Sequence, residues 1–216
     1  MTAKNVTTKN VTIQSFVKTA LSALLLILAT STALAQGDAQ AGQAKTAVCA
    51  ACHGASGNDS LLPNVPKLGG QGERYLTKQL VEIKSGTRAV PLMTGMLNAM
   101  TDQDLADIAA WFSSQSAPQG AVDPAKRELG ETLFRAGNAS IGVAACSACH
   151  APNGAGNHAA GYPALSGQDA AYTELQLKAF RAGERMNDEA EVMRTNAARR
   201  NDAEIAALAS FISGLR

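Results

Sequence analysis

The chain has 216 residues and a formal net charge of +1, with 19 basic side chains against 18 acidic ones. That balance leaves no basic tract of the kind nucleic-acid binding requires. Only 4% of the residues are aromatic, which is thin for small, well-filled cores and implies that a bulky apolar group other than a side chain completes them.

Residues 1–35 read as an export signal. Lys4, Lys9 and Lys18 precede an apolar stretch from Ala20 to Ala29, and Ala33-Leu34-Ala35 offers a small-x-small cleavage site. The stretch is shorter than the roughly 20 residues that span a bilayer, so cleavage is expected rather than anchoring. Loss of the signal removes three lysines and no carboxylate, taking the formal charge from +1 to −2. The remainder holds no second spanning run. A periplasmic protein is expected, soluble or at most loosely associated with the membrane, and monomeric.

From Asp38 to Val48 the sequence reads as a helix leading into Cys49-Ala50-Ala51-Cys52-His53. Two cysteines three apart can form thioethers to one porphyrin, and the adjoining histidine is then carried to the iron by the same short turn. A bare redox dithiol needs no histidine at that place. Pro66 marks the loop expected to offer its carbonyl to the second ring nitrogen of His53. A helix follows near Glu73 to Lys84, with Leu76, Leu80 and Ile83 on one side. Next comes a loop bearing Met93. A last helix, capped by Thr101, buries Leu105, Ile108, Ala109 and Phe112.

The segment 113–122 is rich in Ser, Gln, Gly and Ala and suits a linker. Beyond it the pattern recurs. Pro124 to Arg135 reads as a helix with Asp123 as cap and proline in its first turn, and Cys146-Ser147-Ala148-Cys149-His150 repeats the attachment unit at an offset of 97 residues. The same offset pairs Pro66 with Pro163, Gln71 with Gln168, Tyr75 with Tyr172 and Gln79 with Gln176. After Gly183 three additional residues change the offset to 100, pairing Met93 with Met193 and the last helix with one capped by Asn201 and faced by Ile205, Leu208, Ala209 and Ile212. Two homologous domains are expected, at 36–112 and 123–216.

All four cysteines are used by the two units, so two covalent haem c groups are implied, with His53 and His150 as proximal iron ligands. For the sixth ligand only one histidine remains, His158, which has no counterpart in the first half and polar surroundings. Methionine is the better candidate, because a thioether opposite histidine favours reduced iron. Met93 and Met193 are the repeat-matched pair, each on a loop eight residues before its helix cap. Met96 and Met100 compete in the first half and Met186 in the second. Tyr75 and Tyr172 have no settled role, and Arg181, Arg185, Arg194, Arg199 and Arg200 read best as solvated charges.

With both attachment units and the matched methionines in view, the chain resembles cytochrome c4, a family of dihaem class I cytochromes c. The most specific passages are Gly69-Gly70-Gln71-Gly72-Glu73-Arg74-Tyr75-Leu76, Met93-Thr94-Gly95-Met96 and Cys149-His150-Ala151-Pro152-Asn153-Gly154. The resemblance implies an all-α fold of two tandem cytochrome c domains related by a pseudo-twofold axis, each wrapped around one covalent haem. It implies ligation by Met93 and Met193, propionates facing each other across the domain interface, and transfer of electrons from the cytochrome bc1 complex to a terminal oxidase. The loop from Ser85 to Val90 is short against the family pattern. Two other functions compete: the haem subunit of a flavocytochrome sulfide dehydrogenase, and a dihaem redox enzyme with an open iron position.

Overall fold

The computed structural model describes Gln36–Arg216, so the expected export signal lies outside the described residues. These residues form one compact unit built from helices and loops. Its extended backbone pairs only at isolated bridges, Asn138 with Val143 and Asn157 with Tyr162. The first half contains α1 (Ala39–Lys45), α2 (Ala47–His53), α3 (Glu73–Ser85) and α4 (Asp102–Ser113). The second contains α5 (Arg127–Ala136), α6 (Ser147–His150), α7 (Ala170–Ala182), α8 (Val192–Ala198) and α9 (Asp202–Gly214).

The single helix expected over Asp38–Val48 is two. Asp38 caps α1 by accepting from the Gln40 and Ala41 amides. The chain then breaks at Thr46, whose hydroxyl bonds back to the Gln43 carbonyl. Such a side-chain bond offers the backbone an alternative to continuing the helix. In the second half Asp123 accepts from the Ala125 amide, and Pro124–Lys126 forms a 3₁₀ turn before α5. The final helices start as the sequence predicts. Thr101 with Asp104, and Asn201 with Glu204, each close a reciprocal capping box.

In each half the first helix lies across the last, α1 on α4 and α5 on α9, with α3 or α7 packed beside them. Leu76, Ile108, Ala109 and Phe112 form the first core. Leu133, Phe134, Leu208, Phe211, Ile212 and Leu215 form the second, where the Phe134 and Phe211 rings lie 5.6 Å apart. The crossings are close because glycine makes them. A Cβ on Gly42 would overlap the Asp107 carbonyl oxygen, and one on Gly130 would overlap that of Ala207. Asp107 and Ala207 occupy the same place in the two copies, so both domains use one device.

The α1–α4 crossing is also held by a buried carboxylate. Asp107 accepts from the Asp38 amide at 2.9 Å, from Lys45 Nζ at 2.6 Å and from Gln103 Nε2 at 2.8 Å. The Lys45 bond first, then the Asp38 amide, holds its carboxyl below the ordinary carboxylate range. The segment between the halves is bound on both sides. Asn58 Nδ2 donates to the Ser116 carbonyl and Ser213 Oγ to that of Ala121.

Two outcomes are expected. Gly130→Ala should cost about 2 kcal/mol, since overpacking against backbone cannot be relieved by a side-chain rotation, and should lower the midpoint of thermal unfolding followed by circular dichroism. Because the folded pKa of Asp107 is depressed, its contribution is present above the unfolded carboxylate pKa and is lost as pH falls through the lower folded value. Asp107→Asn should therefore be less stable than the parent at neutral pH, and denaturant titrations should show the gap closing below about pH 4.

Candidate haem sites and the interface between them

Helix α2 carries Cys49, Cys52 and His53, and α6 carries Cys149 and His150 with Cys146 at its cap. All four cysteines are partly exposed and none is paired in a disulfide. Burial pushes the Cys49 and Cys146 thiols up from their ordinary value. Immediately after each histidine the chain turns away through a positive φ, 75° at Gly54 and 66° at Ala151. At Ala151 this conformation, with ψ 155°, is one nearly reserved for glycine.

His53 and His150 are buried. Each Nδ1 bonds to the carbonyl of the expected proline, His53 to Pro66 at 2.8 Å and His150 to Pro163 at 2.9 Å. Burial holds both imidazoles below their ordinary pKa, against the opposing pull of the proline carbonyl. Burial favours the neutral ring, and because a carbonyl can only accept, Nδ1 carries a proton. That tautomer leaves the Nε2 lone pair available, which is the state a metal ligand requires.

The methionines are placed unequally. Met93 ends the 3₁₀ turn Pro91–Met93 and is partly buried. Met193 is also partly buried, but it lies in the first turn of α8 rather than on the loop expected for it. Of the competitors, Met186 is 62% exposed and Met96 39% exposed, whereas Met100 packs against the first core. His158 is exposed, as its surroundings indicated, with its ring beside Gly72 of the first half.

The two halves meet through bonds that repeat under exchange of the domains. Arg88 donates to Gln79 Oε1 at 2.8 Å, Gln176 Oε1 at 3.3 Å and Tyr172 Oη at 3.0 Å. Arg185 donates to Gln176 Oε1 at 2.7 Å, Gln79 Oε1 at 3.1 Å and Tyr75 Oη at 3.1 Å. A second reciprocal pair involves Gln71 and Gln168. Gln71 pairs with the backbone of Ala164, accepting at 2.7 Å and donating at 2.9 Å. Gln168 pairs in the same way with Lys67, at 2.8 and 2.9 Å. This exchange symmetry is the pseudo-twofold relation in chemical form.

Several sequence expectations change here. Tyr75 and Tyr172 are interface acceptors. Burial raises the Tyr75 phenol, but Arg185, Arg88 and Lys78 outweigh it and hold it below its ordinary value. The second-half arginines are not simply solvated. Arg185 crosses the interface, Arg200 is buried, Arg181 pairs with Asp202, and Arg194 pairs with Asp188. Only Arg199, exposed and bonded to the Ile141 carbonyl, resembles the expectation. Arg88, Gln71 and Gln168 had no role assigned from sequence, although the offset of 97 relates Arg88 to Arg185 as it relates the two glutamines.

The residues fit the cofactors that the attachment units imply. In each half two cysteines outside any disulfide adjoin an imidazole oriented by a proline carbonyl. Neither Arg88 nor Arg185 forms an ion pair with a carboxylate among the described residues. Cations withdrawn from water without an anionic partner are costly, and haem propionates are anions of the kind that neither guanidinium has as a partner. Arg200 Nη1, close enough to Cys146 to lower its thiol pKa against the larger effect of burial, is a buried donor without a hydrogen-bond partner.

Comparison with known proteins agrees with this chemistry. The chain matches the cytochrome c family model twice, over residues 39–116 and 128–216. It is 53% identical to cytochrome c4 of Stutzerimonas stutzeri over 208 residues, which cover 92% of this chain and 99% of that one. The crystal structure of reduced recombinant cytochrome c4 from Pseudomonas stutzeri superposes with a TM-score of 0.81 at 55% identity, covering 83% of this chain and all of that one. A more distant relative, a thiosulfate dehydrogenase electron acceptor of Thiomonas intermedia, is 36% identical over 78% of this chain and 79% of its own length. The chain therefore belongs to the cytochrome c4 family, as a dihaem electron-carrier cytochrome with one Cys-x-x-Cys-His unit for each covalent haem.

Proposed function

We propose that, after export and removal of residues 1–35, this chain carries electrons in the periplasm from the cytochrome bc1 complex to a terminal oxidase. In this reading Cys49 and Cys52 hold one haem by thioethers and Cys146 and Cys149 the other, with His53 and Met93, and His150 and Met193, as the axial pairs. The observation that carries it is the equivalence of the two sites: each histidine is oriented by the carbonyl of its own repeat-matched proline, Pro66 at 2.8 Å and Pro163 at 2.9 Å, on either side of one reciprocal interface. Two like sites in one compact unit suit successive one-electron transfers.

When bound, the haems supply the one-electron iron couple. The chain does the rest. The Pro66 and Pro163 carbonyls fix ring orientation and increase imidazole basicity. Met93 and Met193 supply thioethers that favour reduced iron. Arg88 and Arg185 place positive charge between the domains, where it opposes accumulation of charge on oxidised centres. A second donor is favoured by the relative that accepts electrons from a thiosulfate dehydrogenase: an enzyme oxidising a sulfur compound would then take the place of the bc1 complex.

Stopped-flow mixing of the oxidised protein with reduced bc1 complex tests the donor. Rapid reduction, followed by reoxidation on adding the oxidase, is the expected result. Reduction only by a thiosulfate-oxidising enzyme would move the reading to the second donor. For the ligands, Met93→Ala and Met193→Ala should each remove roughly half of the near-infrared methionine-to-iron band and lower the potential of one haem. A full-intensity band in either variant would exclude that methionine.

A further inference from the structure

The peptide groups that orient the two histidines are themselves held by the opposite domain. The Pro66–Lys67 peptide accepts from His53 Nδ1 at its oxygen, and its N–H donates to Gln168 Oε1 at 2.8 Å. The Pro163–Ala164 peptide accepts from His150 Nδ1, and its N–H donates to Gln71 Oε1 at 2.7 Å. Both glutamines are buried, 7% exposed at Gln71 and 8% at Gln168, so water does not compete for these bonds. Each side-chain amide is fixed by further bonds. Gln71 Oε1 also accepts from the Gly72 amide and Gln168 Oε1 from that of Asp169, while their Nε2 groups donate to the Ala164 and Lys67 carbonyls.

A peptide is a conjugated unit. Donation from its nitrogen increases the double-bond character of C–N and moves electron density onto oxygen. In a low-dielectric interior such chained bonds strengthen one another, by about 10–30% per bond. The oxygen that receives density here is the one accepting from the histidine. A stronger acceptor at Nδ1 gives the ring more imidazolate character, and a more basic ligand favours oxidised iron.

We propose that Gln168 and Gln71 are positioning residues acting in trans, each tuning the reduction potential of the haem in the opposite domain through the proline peptide that orients its proximal histidine. The inference rests on His53 and His150 being the iron ligands. It makes the potential of each centre depend on the docking of its neighbour.

The test uses the full dihaem protein labelled with ¹⁵N-histidine, with Nδ1–H signals recorded in the reduced state and potentials measured by spectroelectrochemistry. In the parent, both signals should move on oxidation. A signal that did not would overturn the ligand assignment on which the inference stands, independently of the glutamines. Gln168→Met keeps volume but removes the acceptor. It should move the His53 Nδ1–H signal upfield, leave that of His150 in place, and shift the reduction equilibrium of one haem about threefold toward the reduced form, on the order of 30 mV for one electron. Gln71→Met should give the crossed result at His150. Asn187→Ala removes cross-domain bonds to Gln79 and Glu82 without touching either proline peptide, and should move neither signal. The proposal is overturned if a glutamine variant acts on its own domain, on both histidines equally or on neither, or if Asn187→Ala reproduces its effect.

Discussion

The bond from each histidine Nδ1–H to a proline carbonyl 13 residues downstream is the constraint around which the rest is arranged. It can form only if the intervening loop returns to the end of the short helix bearing the cysteines. The loop does so by folding on a glycine: the Leu68 amide donates to the Gly57 carbonyl at 2.6 Å, and that of Leu165 to Gly154 at 2.7 Å. A side chain at either glycine would strike the core, meeting the Phe112 ring in one half and Leu215 in the other. The position of the imidazole is thus fixed by the same close packing that seats the last helix, and loosening the core would loosen the ring.

The interface is polar where a cut-open core would be apolar. Its cations bond mainly to neutral oxygens of glutamine and tyrosine, and its glutamines to backbone. A bond between neutral groups contributes about 0.5–1.5 kcal/mol net and one to a cation about 1.5–3 kcal/mol, while leaving a buried group unmatched costs about 1–3 kcal/mol and more for a charged one. The arrangement is therefore selective more than adhesive. A wrong relative placement of the domains strands several donors at once. The same asymmetry accounts for the matching of every cross-domain contact of Arg88 by one of Arg185, since under approximate twofold exchange a satisfied donor on one side provides a satisfied donor on the other.

Much of this was legible in the sequence. The attachment units, the duplication, both capping residues, the apolar faces of the last helices and the proline carbonyls follow from spacing and residue type alone. What escaped did so for identifiable reasons. Gly42 and Gly130 look like ordinary weak points of a helix until the opposing backbone is known, because glycine's value there lies in a neighbour distant in sequence. Arg185 reads as a surface charge because a guanidinium carries no sign of which half will bury it. Gln71 and Gln168 were visible as a repeated pair, but repetition does not say that a side chain serves the other copy. The helix break at Thr46 turns on one hydroxyl-to-carbonyl bond, too local for a pattern of apolar residues to register. The seating of Met193 on α8 reflects the same limit, because spacing from a cap says nothing about what a ligand segment folds into.

The connecting segment carries a further meaning. Lys67 Nζ bonds to the Gln119 carbonyl as well as to Gly167, and Gly120 lies so close to the Ser213 carbonyl that no side chain could be accommodated. A short tether already confers an effective concentration of about millimolar, and one pinned along its length has little slack to lose when the domains meet. Contacts too weak to join two free proteins can then hold a single geometry. Duplication and fusion thus turned what would be a fleeting encounter between carriers into a permanent one, with the search for a partner completed in advance by the chain itself.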